Sequence, residues 1–431
     1  MTDASAAAER IVTRCRELAR ITDIPGQTTR TFLSPATHSA HTLVGGWMRA
    51  AGLKVWTDAI GNLRCANEAA SDAPRLVIGS HLDTVINAGA FDGPLGVVMG
   101  IELAATIAGK ASLPFALEVI GFSEEEGVRF AKPFLGSLAV VGELDDAQLQ
   151  LIDQDGISVA LAVRKFGIDK ERLEDAVLAP STFGYLEFHI EQGPVLEADS
   201  ESLAVVDAIA GQTRMQLSFR GRANHAGTTP MGSLRRDAVA AAAEWIGEVE
   251  RYANGCAGLV ATVGKVEVPG GAANVIAGEF LATLDVRHAK DAVRSAAVKH
   301  MMQSAERTAS VRGALVESRT MLEQPAVSMD PVLSDVVVLA CERAAGTEPR
   351  RITSGAGHDA MIVARRVPTT MVFLRSPGGL SHHPDESVLM GDVDAAYRTG
   401  LEFLQTLRDD RAMLDRLVQN AMHYKREARH A

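Results

Sequence analysis

Leu76-Val77-Ile78-Gly79-Ser80-His81-Leu82-Asp83-Thr84 is the stretch that decides the fold class of this chain. Its first three residues are continuously apolar, as an inner strand covered on both faces requires. The run then passes directly into a polar segment with a histidine and an aspartate. A second apolar run, Ala116–Phe122, follows a segment at 94–109 that reads as a helix. The order is β-α-β, and the sheet is α/β in type. Ligands of open α/β sheets bind beyond the carboxyl ends of the strands, so His81 and Asp83 stand where chemistry is expected.

Before this stretch, residues 6–20 and 38–51 have helical spacing, the second stopping at Gly52, a common helix-ending residue. Leu53–Trp56 and Leu63–Ala66 read as short strands. From about 213 the texture changes. Met215–Phe219, Leu259–Val268 and Phe280–Val286 look like half-exposed strands, interleaved with Ala-rich helices near 235–253 and 291–309. A strand near 314–321 completes the ferredoxin-like β-α-β-β-α-β order. After about 328 the first texture returns, with a helix at 331–345, a strand Thr369–Arg375 and a helix at 392–408. The expected organisation is residues 1–212 and 328–431 forming one domain, with 213–327 inserted into it as a second.

Composition narrows the partners. The 431 residues carry 43 Lys and Arg against 54 Asp and Glu, a net charge of −11 with no basic cluster, which argues against nucleic acid and anionic membrane surfaces. The basic run His423 to His430 reads as a solvated helix end. No stretch approaches the roughly 20 apolar residues of a membrane span. Met1 to Arg10 lacks the basic-then-apolar pattern of a signal peptide. Cys15, Cys65, Cys256 and Cys341 are scattered, without a C-x-x-C pair, which fits a reducing cytoplasm.

Five segments concentrate imidazoles and carboxylates after expected strands or in loops. His81 could bind a metal and Asp83 could orient it, although a hydrogen-bonded loop pair would look the same. Asp92, in Phe91-Asp92-Gly93-Pro94-Leu95-Gly96, could be a ligand or a helix cap. Ser123-Glu124-Glu125-Glu126-Gly127 follows a buried strand, where three carboxylates repel each other unless a cation relieves them; on a surface they would be a solvated patch. His189-Ile190-Glu191-Gln192-Gly193-Pro194 and Ser376-Pro377-Gly378-Gly379-Leu380-Ser381-His382-His383-Pro384 complete the set. Each is ambiguous singly, and together they are most economically explained by a two-metal site with a bridging carboxylate.

The motifs GSHLDTV, FDGPLGV, EEEG, HIEQGPVLE, GRANHAGTTPM, DVRH, SGAGHDAM and SHHPDE occur in that order. By them the chain resembles the dinuclear-metal M20 peptidase superfamily, in its branch of allantoate amidohydrolases, N-carbamoyl-L-amino-acid hydrolases and ureidopropionases, over nearly its whole length. The peptidase branch has an acidic residue where this chain has His189, and a longer gap than that from His81 to Asp92. Both differences favour the ureido branch.

The resemblance implies two divalent metal ions per subunit, Zn or Mn with Co or Ni admissible. It implies His81, Asp92, Glu126, His189 and His382 as ligands, with Asp92 bridging and His382 preferred to His383. Glu125 matches the general base, and His225 a residue that reaches the partner subunit's site and stabilises the oxyanion. Asn274 and Arg287 match substrate binders; Arg287 suits a substrate carboxylate, its alternative being a strand-end ion pair. Gln212 and Gly355 complete the expected substrate contacts, and His358 is a neighbour without an assigned role. The implied activity is metal-dependent hydrolysis of a ureido C–N bond in a small carboxylate, allantoate first and N-carbamoyl amino acids second. A peptidase or an inactive binding homologue are the rivals. The inserted domain is expected to act as a lid and to join a homodimer, again by resemblance alone.

Overall fold

The computed structural model describes residues 3–70, 72–108, 113–168 and 170–427. Met1 and Thr2, the expected helix end at Gly109 and the end of the basic run at 428–430 lie outside them. The chain forms two compact units, residues 1–207 with 329–431 and residues 208–328. Residue 212, the boundary expected from texture, lies inside the Gly211–Arg220 strand.

The first unit is built on a mixed sheet. Its strands include β1 (Lys54–Thr57), β2 (Leu63–Ala66), β3 (Arg75–His81), β4 (Ala116–Phe122), β5 (Thr182–Ile190) and β6 (Leu203–Ile209). The spatial order is β1, β2, β4, β3, β5, then Thr369–Leu374, then β6. β4, β3, β5 and Thr369–Leu374 run parallel, so their carboxyl ends share one edge of the sheet. β3 is buried from Leu76 onward, and β4 and β5 along their whole lengths. That explains their near-continuous apolar sequences. The helices α1 (Asp3–Ala19), α2 (Pro35–Ala50) and α3 (Pro94–Ala108) pack into the same core. Residues 94–104 of α3 are buried on every side and are apolar or glycine except Glu102, whose carboxylate accepts from Arg10 and Arg14.

The second unit is a four-stranded antiparallel sheet in the order Leu315–Gln324, Gly211–Arg220, Glu279–His288, Val260–Glu267. In chain order this is 4-1-3-2. With helices Ala238–Asn254 and Asp291–Val311 in the two crossovers, it is the ferredoxin-like pattern. Burial alternates along Gly211–Arg220 and Glu279–His288. Leu217, Phe219, Leu284 and Val286 thereby meet Trp245, Ala297 and Met301 in a core of this unit's own.

Glycines set how closely α3 approaches the sheet. A Cβ on Gly96 would lie 2.2 Å from the Phe188 carbonyl oxygen and 2.7 Å from Ser80 Cβ. Gly96→Ala is expected to destabilise the protein by about 1–3 kcal/mol through overpacking, seen as a lower midpoint in guanidinium unfolding. An unchanged midpoint would mean that α3 shifts away at negligible cost.

Candidate metal centre

Because four parallel strands end on one edge, their last residues and following loops converge. β3 ends at His81, β5 carries His189 one residue before its end, Glu124–Glu126 follow β4, and His382 lies in the loop after Thr369–Leu374. Asp92 sits in the loop before α3. Its Oδ1 is 3.2 Å from His189 Nε2 and 3.5 Å from His81 Nε2, and its Oδ2 is 3.3 Å from His382 Nε2. His382 Nε2 is also 3.5 Å from Glu126 Oε1. His81, Glu125 and Glu126 form an adjoining group close enough to share an ion.

The ring orientations fit a cation. His81 Nδ1 lies 3.0 Å from the Asp83 carbonyl oxygen, and His189 Nδ1 2.9 Å from that of Ile190. A carbonyl only accepts, so both rings carry a proton on Nδ1 and turn Nε2 toward Asp92. An Nε2 lone pair and a carboxylate oxygen at such distances repel, so a metal cation or, in its absence, a second ring proton must lie between them. Asp92 Oδ1 and His189 Nε2 are both buried without a hydrogen-bond partner among the described residues. Asp92 is no helix cap. Its Oδ2 accepts from Gln192 Nε2 and Ser381 Oγ, while its backbone N–H and that of Phe91 donate to Glu386 Oε1. Gly93 has φ +83°, and a Cβ there would sit 2.4 Å from the His81 ring, so only glycine admits this close turn.

Proton affinities show the same crowding. Burial opposes charge on His81, but the Asp92 contact and the Glu125, Asp83 and Glu126 charges outweigh it and hold its pKa well above the usual value. Burial likewise opposes charge on Asp92, yet His189 and His81 hold it well below the carboxylate range. Burial drives Glu125 well above the ordinary value against the pull of His81, and neighbouring Glu126 adds to the rise. Glu126 is pushed up to about 8 by burial and by Asp92. Glu386 rises to about 7 for the same two reasons.

Several expectations take a different form. Asp83 supports His81 through its backbone carbonyl; its carboxylate instead accepts the backbone N–H groups of Glu125 and Glu126 at 3.0 and 3.1 Å, because the two loops meet there. Glu124 is fully buried rather than solvated, its carboxylate accepting the Arg129 backbone N–H. His383 points away and accepts the Asp385 N–H, leaving His382 as the imidazole among the carboxylates. His358 is buried edge-on to His189 with centroids 4.5 Å apart, and its Nε2 meets Ser354 Oγ. Burial and His189 keep it neutral, with a pKa well below the usual value. Gly355 is exposed in the loop before it.

Gln212, His225, Asn274 and Arg287 belong to the second unit. His225 and Asn274 are exposed neighbours there, joined by the Ala226 N–H to Asn274 carbonyl bond. Arg287 is paired with Asp285 of its own strand at 2.8 and 3.0 Å, and Gln212 donates to Gln324.

Sequence reasoning missed the support around the cluster. Gln192, Ser381 and Glu386 lie inside the motifs quoted above but carried no assigned part. Glu187 shares a face of β5 with His189, a signal readable from the two-residue strand period. Its Oε2 accepts from Tyr185 Oη and from the Ala360 backbone, with Asp359 buried beside it.

The fold and this cluster define an α/β protein with a place for divalent metal at the carboxyl ends of its parallel strands. The chain belongs to peptidase family M20/M25/M40, whose family model matches residues 77–407. It is 39% identical over 435 residues to an allantoate deiminase of Arabidopsis thaliana, covering 92% of this chain and 81% of that one. It is 40% identical over 386 residues to an N-carbamoyl-L-amino acid amidohydrolase of Geobacillus stearothermophilus, covering 88% and 93%. Among solved structures, a hydantoinase/carbamoylase family amidase from Burkholderia multivorans superposes with TM-score 0.86 at 31% identity, over 93% of this chain and 98% of that one. Among the described residues no helix is long and apolar enough to cross a membrane.

The crowding has a measurable sign. Glu126 and Glu386 bind protons more tightly folded than unfolded, as do His81 and His189. Their contribution is present at low pH and is lost as pH rises through the folded values. Metal-stripped protein is therefore expected to lose thermal stability from about pH 4.5 to about pH 8, while metal-loaded protein holds its own. The gap between the two melting temperatures should widen across that window. A gap that is constant or narrows would contradict this electrostatic account.

Proposed function

We propose that this chain hydrolyses the ureido C–N bond of a small carboxylate, with allantoate the favoured substrate, giving ureidoglycine or its breakdown product, ammonia and carbon dioxide. The observation that carries the reading is Asp92 set among His81, His189 and His382, with Glu125 in the adjoining group. Likeness to allantoate deiminase over most of the chain supports the substrate. N-carbamoyl-L-amino acids are the second reading, favoured by comparable identity to a carbamoyl amino acid amidohydrolase.

His81, Asp92 and His189 would hold one divalent ion, and Asp92, Glu126 and His382 the other. When bound, such ions supply Lewis-acid polarisation of the carbonyl and lower the pKa of water. Glu125 takes the proton of the attacking water and returns it to the departing nitrogen. Its backbone is fixed by Asp83.

Arg287 would pair with the substrate carboxylate as a planar fork. Asn274, Gln212 and Gly355 would complete the substrate contacts. His225 suits the oxyanion: its Nδ1 accepts the Gly227 and Thr228 N–H groups at 3.1 and 3.2 Å, leaving Nε2–H as the donor. One such donor is typically worth about 2.7–4 kcal/mol. The 208–328 unit would serve as lid and join a homodimer, and the free cysteines agree with a cytoplasmic setting.

The test is ammonia release after chelation and add-back of Mn or Zn, with allantoate, N-carbamoyl amino acids and dipeptides compared. Metal-dependent turnover of allantoate supports the first reading, and turnover confined to carbamoyl amino acids moves the assignment to the second. Silence across the panel with metal bound rejects the substrate class. Glu125→Gln is expected to keep its metal and lose at least about 100-fold in turnover. Near-wild-type activity would remove Glu125 from the proton-transfer role.

A further inference from the structure

One oxygen of Asp92 is gripped by a side chain to which none of these roles applies. Gln192 donates through Nε2 to Asp92 Oδ2 at 2.9 Å and to Ser381 Oγ at 3.2 Å; Ser381 Oγ donates to the same Oδ2 at 2.5 Å. A carboxylate only accepts, so the NH2 end of the amide must face it. The other end, Oε1, is buried without a partner among the described residues. The backbone of Gln192 is also unusual, with φ +59°, and its N–H is tied to Ser376 Oγ at 3.0 Å. Left-handed backbone at a non-glycine residue and an unsatisfied buried acceptor both cost free energy. What this residue gains in exchange is a fixed hold on Asp92 Oδ2.

The two oxygens of Asp92 face unlike surroundings. Oδ1 looks toward His81 and His189, each 1% exposed and anchored at a strand end. Oδ2 looks toward His382, whose side chain is 48% exposed and whose own φ is +56°. The inner set is therefore fixed by the sheet, whereas the outer set depends on loops.

We infer that Gln192 is a positioning residue for the outer cation. By holding Asp92 Oδ2 in line with His382 and Glu126, it sets the affinity of that half of the centre, while the inner half is held by the strand ends without it. This rests on the two-cation reading proposed above.

The test is Mn2+ binding to chelator-stripped full-length protein, followed by equilibrium dialysis with elemental analysis and by electron paramagnetic resonance. The wild type should bind two equivalents and show the spin-coupled signal of a pair. Gln192→Met should bind its first equivalent as tightly as the wild type and its second about 10–100-fold more weakly, the usual cost of losing a ligand's support. At a Mn2+ concentration that just fills the wild type, its spectrum should be that of an isolated ion. Gln192→Asn tolerates left-handed backbone but withdraws the amide; it should behave the same, and it serves if the Met variant does not fold. Both equivalents weakening in parallel, or neither weakening, overturns the role of Gln192 while leaving the two-cation reading intact. A wild type that binds fewer than two equivalents overturns both.

Discussion

The Asp92 carboxylate is the point on which the rest of the site depends. Three imidazoles approach it within 3.5 Å, two further side chains donate to it, and Glu386 fixes its backbone from behind. Glu125 and Glu126 complete a pocket rich in negative charge. Two like unit charges 4 Å apart repel by about 4 kcal/mol at the effective dielectric typical near a protein surface. Such a cluster is stable only with bound protons or with cations. The raised proton affinities of Glu125 and Glu126 and the imidazole Nε2 atoms turned toward Asp92 are two expressions of that one constraint.

The architecture explains how the constraint is met. Parallel β4, β3, β5 and Thr369–Leu374 bring the ends of four distant segments to one edge. Their register places His81 opposite Phe122, one residue before the acidic loop, and His189 opposite Phe373. Slipping β3 or β5 by one residue would turn its histidine to the other face. The buried, apolar strands thus do more than form a core, since they fix imidazoles that have little freedom of their own.

This logic is why so much was legible in the sequence. Apolar runs passing directly into His-x-Asp, Glu-Glu-Glu and His-Ile-Glu-Gln mark strand ends, and strand ends are where ligands gather. The ferredoxin-like unit was readable because half-exposed strands, two of them strictly alternating, are interleaved with Ala-rich helices. The supporting residues were harder to find. Gln192 and Ser381 are uncharged loop residues with no period, and only their contacts with Asp92 distinguish them. Glu386 and Asp359 look like ordinary surface acids until the fold buries them. Asp83 was placed correctly near His81, but sequence cannot tell that its carboxylate turns toward the next loop while its carbonyl faces the ring. Likewise His382 and His383 are adjacent in the chain, and it is the left-handed backbone at His382 that sends one of them to the carboxylates.

Burial divides the centre into two halves with different physics. Around Asp92 Oδ1 the donors are shielded and carried on strands, so their orientation is fixed when the protein folds. Around Oδ2 they are carried on loops, one of them half exposed, and the oxygen itself is held by Gln192 and Ser381, with Gln192 tied back to Ser376. Strand ends fix orientation by themselves, whereas loops need an added constraint to hold geometry. Left-handed backbone at both Gln192 and His382 is one such constraint, because few neighbouring conformations are accessible to a non-glycine residue in that region. In this chain the left-handed backbone lies on the more exposed side of the centre, while the buried side is held by ordinary strand geometry.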